Sequence, residues 1–203
     1  AVGVSFGAME IIQIADDFKN LESRVRLATG AGTDFVNGFD GVKQIANETF
    51  TSIENTALLF ASISRAGNEL KMAQEDILQV TETINQSIKL SGGSAASASA
   101  AIVQLVQGLQ SGVLRGEEFN SIMEQSPRLA RALADGLGVT IGELRKLAGE
   151  GKLTSDVVLK AIQEQSAVIN AEFETLPTTF ANAVQVLKNN VMRLVGDMDK
   201  TLQ

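Results

Sequence analysis

Gly112-Val113-Leu114-Arg115-Gly116-Glu117-Glu118-Phe119 and, about one helical-hairpin length further on, Gly151-Lys152-Leu153-Thr154-Ser155-Asp156-Val157-Val158 decide how this chain folds. Both runs read glycine, any residue, leucine, two residues suited to a helix start, an acid, any residue and an apolar side chain. The physical reading is a helix stop followed at once by a helix start. Glycine takes the left-handed backbone conformation that a side chain resists, and the leucine folds back onto the apolar seam. The acid then lies in the first turn of the next helix, where the macrodipole favours it. Between the two copies the same logic recurs. Ser126-Pro127 offers an N-cap hydroxyl followed by proline at the first helical position, and Thr140-Ile141-Gly142-Glu143 is a capping box preceded by a Gly136-Leu137-Gly138 stop. Isolated helices shorter than about 12 to 15 residues are marginal in water, so these four short helices are expected to fold as a cluster.

On the N-terminal side, Ala1 to Ile14 reads as the tail of an upstream Gly/Ala-rich segment, and the first helix is predicted from about Asp16 to Ala28, stopped by Thr29-Gly30-Ala31-Gly32. Thr33 and Asp34 open a second helix with Phe35, Phe39, Val42 and Ile45 on one side. A third runs from Ser52 to Arg65 with Ile53, Ala57, Phe60 and Ile63 inward, closed by Ala66-Gly67-Asn68. From Gln74 to Leu90 the seam is Ile77, Val80, Ile84 and Ile88, and Glu82, Asn85, Gln86 and Lys89 are expected to look outward. Ser94 starts a helix whose stripe is Ala98, Ala101, Ile102, Leu105 and Leu109. Leu90 to Leu114 carries no charge, a length that would suit a bilayer, but its serines and glutamines make insertion costly and favour a buried helix.

On the C-terminal side, Thr154 is expected to cap one helix reaching Leu176, ended by Pro177. The last segment is the most regular: Phe180, Val184, Leu187, Val191, Leu194 and Met198 step by four, three, four, three, four. This spacing fits a coiled-coil seam for self-association and equally an amphipathic helix lying on the core. The chain therefore divides as 1–14 upstream tail, 15–93 N-terminal helical subdomain, 94–176 central region and 177–203 terminal helix. The fold class is all-α, an array of about ten helices with no sheet.

The totals narrow function. The 203 residues include 9 Phe but no Trp, Tyr, His or Cys, and the net charge is −7 with 44% hydrophobic and 20% charged residues. Attraction to phosphate backbones is opposed by that charge, and no aromatic stacking platform stands out for single strands, so no specific nucleic-acid binding is expected. Without His and Cys, the commonest general base and the usual thiolate and imidazole metal ligands are missing. Asp16-Asp17, Glu75-Asp76 and Glu117-Glu118 are acid pairs, read as first-turn residues serving helix dipoles rather than as a catalytic pair. Gly92-Gly93-Ser94 lacks the lysine and glycine spacing of a phosphate loop. No catalytic, cofactor-binding or metal-binding residue is assigned, and no cofactor. The start at Ala1 without methionine is read as a piece of a longer polypeptide.

The run Leu114-Arg115-Gly116-Glu117-Glu118-Phe119-Asn120, continuing through Met123-Glu124-Gln125-Ser126-Pro127 and Ala132-Leu133-Ala134-Asp135-Gly136-Leu137-Gly138-Val139-Thr140 to Gly151-Lys152-Leu153-Thr154, resembles the tape-measure domain of tailed-phage and prophage tail proteins. So does Phe18-Lys19-Asn20-Leu21-Glu22-Ser23-Arg24-Val25-Arg26-Leu27. The resemblance covers about Ala15 to Gly196. Its departures are Gly149, where a helix former is expected, and Ser126 in place of a small apolar residue. It implies a non-enzymatic structural protein of the virion tail, in the host cytoplasm during assembly, that sets tail length, scaffolds the tail tube and is ejected with the DNA. Its implied partners are other copies, tail tube and tip proteins and tail assembly chaperones. A membrane-perturbing module for DNA delivery and a chaperone-binding adaptor are the rival readings.

Overall fold

Both predicted glycine stops take the left-handed conformation, Gly112 at φ 81° and Gly151 at φ 67°, in the computed structural model, which describes residues 7–201. Leu114 and Leu153 are both buried, as the motif requires. The two copies also pair with each other, which the sequence does not show. Leu114 N–H donates to the Leu153 carbonyl at 2.8 Å and Ser155 N–H donates to the Gly112 carbonyl at 3.0 Å, forming an isolated antiparallel bridge at Val113 and Thr154. Ser155 Oγ donates to the Leu109 carbonyl at 3.1 Å. Each turn thus satisfies orphan backbone groups at a helix end supplied by the other.

Among the described residues there are eleven helices and no strand: α1 (Ala8–Thr29), α2 (Thr33–Glu48), α3 (Ile53–Glu69), α4 (Gln74–Leu90), α5 (Ala95–Gln110), α6 (Gly116–Gln125), α7 (Pro127–Gly136), α8 (Ile141–Gly149), α9 (Ser155–Glu164), α10 (Ser166–Phe173) and α11 (Phe180–Thr201). One buried apolar cluster draws on residues from Phe18 in α1 to Met192 in α11. The seams predicted for α2 and α3 are buried throughout, and so is that of α5 apart from the half-buried Ala98.

Helix α4 is the axis of the body, packed by α2, α3, α5, α7, α9 and α10. Ile77, Val80, Ile84 and Ile88 face inward as predicted, but Asn85 and Gln86, expected outside, are buried too. With neighbours on so many sides, α4 has little outward face left. Asn85 Nδ2 donates to the hydroxyls of Thr51 and Thr56, each at 3.0 Å. Gln86 Nε2 donates to Glu82 at 3.1 Å and to Asn170 Oδ1 of α10 at 3.0 Å. Burial, and then the neighbouring Glu48 carboxylate, raise the pKa of Glu82 above its ordinary value.

Several boundaries differ from the sequence reading. Residues 1–6 of the expected upstream tail lie outside the described residues, while helix α1 already begins at Ala8, so Asp16 and Asp17 sit mid-helix and not at its start. There Asp17 accepts from Gln13 Nε2, an i to i+4 bond that helix continuity allows. Gly67 lies inside α3, which continues to Glu69. The single helix expected from Thr154 to Leu176 is two, α9 and α10, broken at Gln165. The Ser166 hydroxyl donates to the Gln163 carbonyl at 2.7 Å and bends the chain there.

Capping is mixed. The Thr140 box forms as predicted, with Glu143 N–H donating to Thr140 Oγ1 at 3.2 Å and Thr140 N–H donating to Glu143 Oε2 at 2.8 Å. That Thr140 N–H, and then the Thr140 hydroxyl that also donates to Glu143 Oε2, hold the Glu143 carboxyl below the usual carboxylate range. Thr154 stands at the N-cap of α9 without capping by its side chain. Ser126 does not cap α7 with its hydroxyl either. It is buried against Ser91 Oγ at 3.1 Å, and Ser91 takes over as acceptor of the Arg128 N–H at 3.1 Å. Arg128 then forks onto Glu172, tying α7 to α10 through bonds of 2.6 and 2.9 Å.

Candidate protein-interaction surface

Helix α11 carries the heptad stripe singled out in the sequence, and it lies against α1 and α2 at the edge of the body. An amphipathic helix normally buries its apolar stripe. Here the arrangement is reversed. Phe180, Leu187, Leu194 and Met198 are 86%, 54%, 62% and 57% exposed, and Val184 and Val191 are half-buried.

The docked side is instead Asn182, Asn189, Met192 and Gly196. Asn189, on that side, clasps the turn between α2 and α3. Asn189 Nδ2 donates to the Thr51 carbonyl at 2.8 Å and to Asn47 Oδ1 at 3.1 Å, while its Oδ1 accepts from the Ile53 N–H at 3.4 Å and from Gln185 Nε2 at 3.0 Å. Asn47 Nδ2 donates in turn to Asn190 Oδ1 at 3.3 Å. Ile53 is the first residue of α3, so its N–H has no partner within the helix and Asn189 supplies one. Thr179 Oγ1 accepts the Asn182 N–H at 3.2 Å, capping α11, which starts three residues after Pro177.

Glycine at 196 is a steric requirement: a Cβ there would run into the ring of Phe18 on α1. Phe18 in turn stands edge-on to Phe39 of α2, with ring centroids 5.4 Å apart. Asn182, Asn189 and Gly196 repeat at seven-residue spacing, two positions away from Phe180, Leu187 and Leu194. Two residues turn a helix by about 200°, so the two lines lie on opposite sides. The polar and small line has the same seven-residue repeat in the sequence as the apolar line opposite it.

Elsewhere the structure brings few chemical groups together. A cleft of about 440 Å³ between α3, the end of α5 and the start of α9 gathers Arg65, Glu69 and Asp156. The Thr154 hydroxyl beside Asp156 holds that carboxyl below the usual range, consistent with service at the start of α9. Glu75 and Asp76, and Glu117 and Glu118, lie in the first turns of α4 and α6, as predicted from the sequence. Among the described residues, no three His, Cys, Asp or Glu side chains gather as metal ligands, and no helix is long and apolar enough to cross a membrane.

By class this is an all-helical domain whose described residues expose apolar side chains on the edge helices α1 and α11. A family model described as tape measure protein matches residues 9–200, nearly the whole chain. The chain belongs to the tape measure protein family, structural components of phage tails. No curated protein and no solved structure matches it.

Proposed function

We propose that this chain is a working segment of a tail tape measure that sets tail length, serves as the core on which tube subunits polymerise, and leaves with the DNA during infection. The observation that carries the reading is the family match across residues 9–200. The structure supports it with contact surfaces: an outward apolar stripe on α11 and a buried helical core. Tube and tip proteins and assembly chaperones are the partners of such a segment, and the virion tail its destination. The net charge of −7 favours sliding past DNA over holding it.

Deleting the codons for residues 9–200 in a phage that carries them tests this. Helix rises about 1.5 Å per residue, so a fully extended segment of that length would account for roughly 290 Å of tail, and a folded body for less. Shorter tails in electron micrographs are the expected result. Tails of unchanged length and number would overturn the reading.

A further inference from the structure

We propose that a cavity under the turn between α2 and α3 binds a small molecule made of an apolar body and one carboxylate, with Lys89 meeting the charge. The cavity is about 360 Å³ and is walled by that turn, α3, the end of α4, the first turns of α5 and the start of α11. Sites for small ligands are commonly of this size and mostly apolar, with a few polar groups that fix orientation. Ile88 of α4 and Ile102 of α5, both almost fully buried, line it beside the half-buried Phe50 and Ala98. Its polar wall includes Asn55, whose Nδ2 donates to Ser99 Oγ at 2.7 Å.

Charge selects the ligand. Lys89 is the one charged side chain among the described residues that line the cavity, in a chain of net charge −7. No carboxylate among the described residues pairs with it, and its ammonium stands 5.9 Å from the centre of the Phe50 ring. Burial lowers its pKa from the ordinary lysine value. A partly desolvated cation with no anion beside it gains a charge-assisted bond when a carboxylate enters. Helix α5, which begins at this wall with Ser94 and Ala95, has no acid in its first turn to oppose that anion.

Phe50 is held there at a backbone cost. At the end of α2 it takes φ 55°, with its N–H donating to the Asn47 carbonyl at 3.3 Å and the Thr51 N–H donating to the Ala46 carbonyl at 2.9 Å. Glycine is the usual residue in such a turn. Phenylalanine instead sets a ring at the cavity, stacked on Phe173 with centroids 6.2 Å apart.

Proton–nitrogen correlation spectra of the purified chain, titrated with hexanoate, hexanol and hexylammonium, test this and show whether each variant is folded. Hexanoate should bind saturably, shifting Lys89, Ile102 and Gln185 together, and about tenfold more tightly than hexanol, as expected for one charge-assisted bond. Hexylammonium should bind more weakly than either. Lys89→Met, which keeps the stem, should bring hexanoate down to the affinity of hexanol. Ala98→Leu should fill the cavity and remove both, and Lys160→Met, on the exposed side of α9, should change neither. The Lys89 ammonium should titrate higher with hexanoate bound, a shift that a lysine serving only the fold would not show. Equal affinities for hexanoate and hexanol, hexanoate binding that both Lys89→Met and Ala98→Leu leave intact, or no saturable shift would each overturn the site. Displacement of hexanoate by N-acetyl-leucine but not by N-acetyl-leucinamide would assign the same chemistry to the end of a polypeptide; retention of hexanoate against both would assign it to a free acid.

Discussion

Helix α4 turns Ile77, Val80, Ile84 and Ile88 into the core and finds buried partners even for Asn85 and Gln86, whereas α11 buries Asn182 and Asn189 and turns Phe180, Leu187 and Leu194 to solvent. Both helices have an apolar stripe at helical spacing. What differs is the number of neighbours and what those neighbours need. Around α4 lie six other helices, so little of it faces outward and its buried polar side chains are met by threonine hydroxyls and amides. Around α11 lie chiefly α1 and α2, and the turn it touches has an unpartnered N–H at Ile53 and a carbonyl at Thr51. Asparagine answers both, because its amide donates and accepts at once.

The largest expected contrast is in stability. Ile84→Ala in α4 should cost about 2 to 5 kcal/mol, since it removes methyl groups from a fully buried site. Leu187→Ala in α11 should change the stability of the monomer by less than about 0.5 kcal/mol. Urea unfolding of the two variants measures both, and similar costs would abolish the distinction between the helices.

The amide networks give a smaller effect with a different signature. Asn85→Ala removes two amide bonds to threonine hydroxyls and leaves a void at a fully buried position, and should cost about 1 to 3 kcal/mol, lowering the midpoint of the whole transition. Asn189→Ala should cost about 1 kcal/mol and act locally, because water can reach the edge of the body. Hydrogen exchange would show it as faster exchange in α11 with α4 unchanged; protection lost equally in both would mean that the clasp belongs to the core.

The smallest effect is pH-dependent and, of these two helices, concerns α4. Glu82 titrates above its ordinary value because burial and Glu48 disfavour its charge. The folded state therefore keeps the proton to higher pH than the unfolded chain does. The stabilising contribution is present below the ordinary carboxylate pKa and is lost as pH rises through the raised one. Glu82→Gln should be more stable than the parent at neutral pH and lose this part of the slope, while changes on the α11 stripe leave the slope alone. Denaturant midpoints compared at mildly acidic and neutral pH would read this out.

Much of this architecture is legible from local rules. The stops at Gly112 and Gly151, the Thr140 box and the buried leucines at 114 and 153 follow from groups within a few residues of one another. Other features depend on distant groups: Ser91 replaces Ser126 as the acceptor for α7, and the Gly112 carbonyl accepts the first N–H of α9. The break between α9 and α10 is local, where the Ser166 hydroxyl bonds the Gln163 carbonyl. The start of α1 at Ala8 was hidden for another reason. Its first turns carry Met9, Ile11 and Ile12 exposed, so no buried periodicity announces them.

The sequence by itself determined an all-helical chain, the positions of most helix ends and the residues of each apolar stripe, because spacing along a helix fixes the angle between side chains. Tertiary structure alone decided which side of α11 meets the body and how the two Gly-x-Leu turns finish each other's helices. An angle around an axis says nothing of what stands beside it, and those choices were made by backbone groups of remote segments that needed hydrogen-bond partners.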